Sequence, residues 1–141
     1  MTNHRVADLM TKQVIYLPAE TTLEEAARAM RDADIGDVVV TDGPNLAGML
    51  TDRDIVVRAI AERRDPAATT IGEVATREIV LIEQNASPAE AAHVMRSRAV
   101  RRLLVCDADR QLVGIVSLGD LAMLMDPESA LSDISEATAN R

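Results

Sequence analysis

Aromatic side chains are almost missing from this 141-residue chain, which has one Tyr, no Phe and no Trp. Any core must then be assembled from Val, Ile, Leu, Met and Ala. The stacking platforms that hold single-stranded nucleic acid have no rings to use. Cysteine occurs once, as Cys106, so no intramolecular disulfide can form. Its place after Leu103-Leu104-Val105 reads as a buried, inert thiol. Histidine occurs twice, and neither His4 nor His93 has a partner at metal-ligand spacing. His93 falls opposite the apolar stripe of its helix, on the solvent side. No G-x-S-x-G elbow, C-x-x-C pair or phosphate-loop signature is present. These absences argue against an enzyme and against a metal site.

Positive charge is also short. The net charge of −8 leaves no basic footprint for a phosphate backbone, so nucleic-acid binding is disfavoured. No stretch reaches the roughly 18 consecutive apolar residues of a membrane span. The N-terminus lacks a signal-peptide core, and a cytoplasmic protein without membrane attachment is the expectation. What is present is an apolar fraction of 48%, enough for one domain or two half-size units sharing a core.

A shift of 65 residues brings two halves of the chain into register. Leu23-Glu24-Glu25-Ala26-Ala27-Arg28-Ala29-Met30-Arg31 falls on Pro88-Ala89-Glu90-Ala91-Ala92-His93-Val94-Met95-Arg96. Val40-Thr41-Asp42 falls on Val105-Cys106-Asp107. After one inserted residue, Leu46-Ala47-Gly48-Met49-Leu50-Thr51-Asp52-Arg53-Asp54 falls on Leu112-Val113-Gly114-Ile115-Val116-Ser117-Leu118-Gly119-Asp120. Gly, Ser/Thr and Asp keep in step, so this is a duplication.

Each copy predicts β-α-β-β-α. A β-rich run opens it, Val14 to Leu17 or Ile79 to Ile82. A helix follows, capped by Thr22 or Ser87 with Glu25 or Glu90 completing the box. Pro88 suits the first helical position. Leu23, Ala26, Ala27 and Met30 form a buried stripe that Ala91, Ala92 and Met95 repeat. A hairpin comes next, around Asp42-Gly43-Pro44-Asn45 or Asp107-Ala108-Asp109-Arg110. A last helix starts at Thr51 or Ser117, with Ile55, Val56, Ala59 and Ile60 as its apolar stripe in the first copy. Repeat 1 thus covers residues 6–62 and repeat 2 residues 71–125. The polar Glu62 to Thr70 stretch is the linker, and 126–141 form a polar C-terminal tail with a helix start at Asp126-Pro127-Glu128. A half-unit of about 60 residues has little core of its own, so the two copies are expected to bury their sheets against each other.

The turn that ends each hairpin could carry chemistry. A strand stops, a hydroxyl residue follows, and a carboxylate sits three positions later: Thr51 and Asp54, Ser117 and Asp120. Free N–H groups and the positive helix end suit an anion there, and a carboxylate can accept both hydroxyls of a ribose. The same Ser/Thr-x-x-acid spacing is also a capping device. Both readings stay open.

The duplicated unit with G-h-x-[S/T]-x-x-D resembles the CBS domain, and the chain resembles a tandem CBS pair, or Bateman module, from Val6 to Met125. Met10-Thr11-Lys12, Ile35-Gly36-Asp37-Val38-Val39-Val40 and Met49-Leu50-Thr51-Asp52-Arg53-Asp54-Ile55 are similar to stretches of small stand-alone bacterial CBS proteins, the mycobacterial hypoxic response protein group among them. The resemblance implies an α+β fold of two CBS repeats packed with pseudo-two-fold symmetry and no catalysis. It implies clefts between the repeats for an adenosine ligand: AMP, ADP, ATP, S-adenosylmethionine or NADH. No cofactor is required. Asp54 would hold the ribose of the first cleft, with Thr51 and Arg53 nearby, Thr11 and Val14 on the adenine side, and Arg101 and Arg102 reaching the phosphate. Asp120, Ser117, Thr76 and Ile79 would form the second. Gly36-Asp37 and Gly119 stand where the first cleft has Arg101-Arg102 and Arg53, so a phosphorylated ligand should prefer the Asp54 cleft. The resemblance also implies a homodimer through helical faces and an output passed to an unknown protein partner in trans. The competing reading is a ligand-free structural or stress-related interaction protein.

Overall fold

The computed structural model describes residues 4–125, and the 126–141 tail with its expected helix start lies outside the described residues. The chain divides into two compact units, one running Ile15–Ile79 and the other joining the residues up to Val14 with those from Val80 onward.

The Ile15–Ile79 unit is built on a three-stranded sheet. Strands β1 (Tyr16–Pro18) and β2 (Asp37–Asp42) run parallel, and β3 (Asn45–Thr51) pairs antiparallel to β2. Helix α2 (Leu23–Ala33) makes the parallel crossover. Thr22 starts it by accepting from the Glu25 N–H at 3.2 Å. It stops at Asp34, which takes the left-handed conformation (φ 55°) while the Ile35 N–H returns to Met30 O. Helix α3 (Asp52–Ile55) leads into a π-helical turn over Val56–Ile60. A four-residue helix follows, α4 (Ile71–Val74). The core joins Leu23, Ala26 and Met30 of α2 to Val38, Val40 and Leu50 of the sheet, with Ala59, Ile71 and Val74 closing it.

The other unit repeats the plan. Its sheet is β4 (Leu81–Glu83), β5 (Arg102–Cys106) and β6 (Leu112–Ser117), in the same order and sense. Helix α5 (Pro88–Arg98) is capped by Ser87 and ended by left-handed Ala99. Helix α6 (Leu118–Met125) closes the repeat. The short helix packed here is α1 (Val6–Leu9), whose fully buried Val6 joins Val80, Ile82, Met95, Leu103 and Leu121. Both antiparallel pairs slip register at the same place, Val40/Thr41 and Val105/Cys106. A bulge kept in both copies belongs to the plan of the fold. Cys106 is buried, its thiol pointing at Ile82 O across 3.6 Å.

Several expectations are corrected. The first strand of each copy starts two residues later than the β-rich run. The α2 stripe is narrower, because Ala27 is exposed while Leu23, Ala26 and Met30 are buried. The last helix of the first copy buries only Ala59 fully: Val56, Val57 and Ile60 are 57%, 46% and 55% exposed. The π turn adds a residue to each local ring, so the 3.6-residue stripe does not carry through it. The linker is not a free spacer. Pro66 O and Thr69 O accept from the Glu24 and Leu23 N–H groups at the start of α2, and Thr69 is buried.

Each entering segment is held by backbone exchange beside a glycine. Met49 and Thr76 trade two N–H···O bonds of 2.9 Å, and Thr11 and Ile115 trade bonds of 2.8 and 3.0 Å. A Cβ on Gly48 would lie 2.4 Å from Thr76 O, and one on Gly114 would lie 2.8 Å from Thr11 O. Gly48→Ala therefore forces backbone apart and should cost about 1–3 kcal/mol. Urea unfolding would show this as a lower midpoint with little change in slope. An unchanged midpoint would contradict the close approach.

The short helices α1 and α4 both start on a carboxylate. The Arg5 N–H donates to Asp8 at 2.8 Å, and the Thr70 N–H donates to Glu73 at 2.7 Å. These backbone donors hold both acids below their ordinary pKa values, with Arg64 further lowering Glu73. A depressed acid contributes stability that is present above its unfolded pKa and is lost as pH falls through the folded value. Glu73→Gln should thus destabilise at neutral pH and flatten the acid limb of the stability curve. Urea midpoints across the acid range, against the parent chain, measure this.

Candidate functional site

The turn between β3 and α3 is organised by Asp54, which is 9% exposed and is the one buried carboxylate among the described residues. Its Oδ2 accepts the Thr51 N–H at 2.9 Å, while the Asp54 N–H donates to Thr51 Oγ1 at 3.1 Å. The second copy repeats this geometry. The Ser117 N–H donates to Asp120 Oδ2 at 2.8 Å, and the Asp120 N–H donates to Ser117 Oγ at 3.2 Å. The capping role is therefore realised twice. It does not exhaust the carboxylates, since each has about four acceptor positions and the cap uses one.

Each turn is tied to the strand beside it. The Asp52 N–H donates to Gly36 O at 2.9 Å, and the Leu118 N–H donates to Arg101 O at 2.8 Å. Asp37 lies opposite Thr51 across the sheet, and Arg102 lies opposite Ser117. The Asp54 turn thus has Asp37, Asp52 and Arg53 around it, whereas the Asp120 turn has Arg101 and Arg102. The Ile15–Ile79 unit holds Thr51, Arg53, Asp54 and Thr76, with half-buried Ile79 at its end. The other unit holds Thr11, Val14, Arg101, Arg102, Ser117 and Asp120. Thr76 stands beside the first hairpin through Met49, and Thr11 beside the second through Ile115.

One residue was missed at the sequence level. Arg58, in the middle of the π turn, places Nε 3.9 Å from Asp54 Oδ1 and donates from Nη1 to Val74 O at 3.0 Å. The i,i+4 spacing of opposite charges was the available signal. Two depressions lie at the hairpin ends of the sheets, with cavity volumes of about 490 and 280 Å³. The larger is lined by Glu20, Asp42, Thr70, Glu73 and Arg77 among others, and neither includes a candidate residue. Among the described residues, no three His, Cys, Asp or Glu side chains gather where they could hold a metal ion, and no helix is long and apolar enough to cross a membrane.

Comparison with known proteins agrees with the repeat. A family model of the CBS domain matches residues 6–60 and 71–126. The CBS domain-containing protein YhcV of Bacillus subtilis is 41% identical over 131 residues, covering 92% of each chain. Hypoxic response protein 1 of Mycobacterium tuberculosis is 40% identical over 131 residues, covering 92% of this chain and 90% of that one. A crystal structure of Hypoxic Response Protein I with two coordinated zinc ions shares 39% identity and a TM-score of 0.66, covering 88% of this chain and 99% of that one. The CBS domain pair of protein MJ0100, solved with 5-methylthioadenosine and S-adenosyl-L-methionine, superposes with a TM-score of 0.75 at 25% identity, covering 91% and 100%. The clustered ligands that zinc would need are not found among the described residues of the present chain. With two repeats of one motif, two matching sheets and these relatives, the chain belongs to the CBS-domain family.

Proposed function

We propose that this chain is a non-catalytic regulatory module that binds an adenosine-containing ligand of the AMP, ADP or ATP class and passes its state to a protein partner in trans. The observation that carries the reading is the twice-built turn in which a hydroxyl residue and a carboxylate meet at a strand end. The carboxylate is fixed by its own cap and still has acceptor positions to spare. A ribose presents two adjacent hydroxyl donors, the partner such a carboxylate suits. The adenosine compounds bound to the CBS pair of MJ0100 support this ligand class.

The Asp54 turn is the one assigned to the phosphorylated ligand. Arg53 stands there where the second copy has Gly119, and a cation near a phosphate is worth up to about 4 kcal/mol at 4 Å in an effective dielectric near 20, a gain that Asp37 and Asp52 beside the same turn reduce. Calorimetric titration with AMP tests the assignment. Asp54→Ala should lower affinity about 10- to 150-fold, the cost of losing charge-assisted hydrogen bonds to ribose. Asp120→Ala should cost less. Equal losses, or none from Asp54→Ala, would overturn it.

The capping geometry favours a second reading, a ligand-free interaction protein in which both acids serve only their own helices. A thermal-shift panel of AMP, ADP, ATP, S-adenosylmethionine and NADH separates the two. A ligand at 100 times its Kd adds about 2.7 kcal/mol to stability, and silence across the panel favours the interaction protein.

The proposed assembly is a homodimer. Val56, Val57 and Ile60 stand exposed on one short stretch, an apolar surface of the kind that marks an interface. Val57→Asp should shift the chain from dimer to monomer in light scattering coupled to gel filtration. A parent chain already monomeric at micromolar concentration would refute the dimer.

A further inference from the structure

Asp54 is buried, and an isolated buried carboxylate is costly unless something answers its charge. Arg58 does so, from four residues on in the same helical segment. The distance matters. At 3.9 Å the Arg58 Nε lies beyond hydrogen-bond reach of Asp54 Oδ1, so it answers the charge without occupying the acceptor. The same guanidinium is committed elsewhere, since its Nη1 donates to Val74 O, the carbonyl that ends α4.

Val74 leads within two residues to Thr76, and Thr76 trades both backbone hydrogen bonds with Met49. Met49 lies two residues before Thr51, whose N–H fixes the other oxygen of Asp54. Arg58 therefore closes a ring: Asp54, Arg58, Val74, Thr76, Met49, Thr51 and back to Asp54. The ring joins the carboxylate to the segment that carries Thr76. The second copy lacks the device. Leu124 stands four residues after Asp120, and its helix runs α-helical through that point without a π turn.

We propose that Arg58 is a positioning residue for ligand binding at the Asp54 turn, holding the carboxylate and the Thr76 segment in register while leaving Oδ1 open to the ligand. The inference rests on the adenosine reading above. It makes the two turns of the chain unequal: the first is braced by a cation and the second is not.

The test isolates the Asp54 turn in an Asp120→Ala background and titrates adenosine and AMP by calorimetry. Arg58→Met should weaken both ligands by the same factor, about 1.5- to 5-fold, the scale of one half-exposed ion pair. Arg58→Lys, which keeps the charge, should recover part of the loss. In the ligand-free full chain, unfolding constants of Asp54→Asn, Arg58→Met and the double variant should be non-additive by at least about twofold. Should Arg58→Met fail to fold, Arg58→Gln takes its place in each comparison. A larger loss for AMP than for adenosine would mean direct phosphate contact and overturn the positioning role. Unchanged or tighter binding, or an additive cycle, would overturn it as well. If neither the unsubstituted chain nor its Asp120→Ala variant binds either compound, the adenosine reading falls and takes this proposal with it; if only the Asp120→Ala variant fails to bind, the assignment to the Asp54 turn falls, and this proposal with it. If that variant binds and Arg58→Met does not differ from it, only Arg58 is dismissed.

Discussion

Two pairs of backbone hydrogen bonds hold this protein's plan together: Thr76 with Met49, and Thr11 with Ile115. Each fastens an incoming segment against the last strand of a hairpin, and each requires a glycine one residue away so that two main chains can touch. Main-chain pairing of this kind is indifferent to side-chain identity, which lets the segments differ in sequence while the contact repeats. The hydrophobic seal follows from it. Once Thr76 is in place, Ile71 and Val74 lie over the first sheet, and once Thr11 is in place, Val6 lies over the second. The candidate turns inherit their position from the same strands, since Thr51 and Ser117 are the last residues of the strands so fastened.

Much of the architecture was legible in the sequence, and the reasons are local. Thr22 with Glu25 and Ser87 with Glu90 announce helix starts because a cap needs only four consecutive residues. The hairpins show through apolar runs interrupted by Asp, Gly, Pro and Asn. What was not legible depended on distant partners. Helices α1 and α4 are one turn long, too short for a period to appear, and they exist because their acids cap them and a sheet receives Val6, Ile71 and Val74. The strands β1 and β4 begin late because their extent is set by where β2 and β5 offer partners, not by where Val14 or Ile79 raises local β propensity.

The candidate turn was legible as a hydroxyl residue and a carboxylate three positions apart, and its role was left open between capping and recognition. Structure sharpens the ambiguity: Asp54 and Asp120 do cap their helices, yet a carboxylate with one oxygen fixed is better prepared to meet a sugar than one free to rotate. Under the proposed function, capping and recognition are two uses of one geometry. Of the helix stripe, Ala59 is buried and Ile55 packs against the core while Val56 and Ile60 stand exposed, because amphipathic periodicity says which residues share a face, not what that face meets. Across the π turn even that sharing is lost, since Ala59 is buried while Val56 and Ile60 are exposed.

The exchange of short helices puts the structural period out of phase with the genetic one. By sequence the chain repeats from residue 6 and again from residue 71, but its compact bodies change over at Val14/Ile15 and Ile79/Val80. A fragment cut at the gene-like boundary would keep a helix it cannot use and forfeit the one its sheet needs. Ile71 and Val74 would leave with the wrong half, and Val6 would be stranded without Leu103 or Leu121. Neither copy can therefore be excised at that boundary without uncovering core residues of the unit left behind.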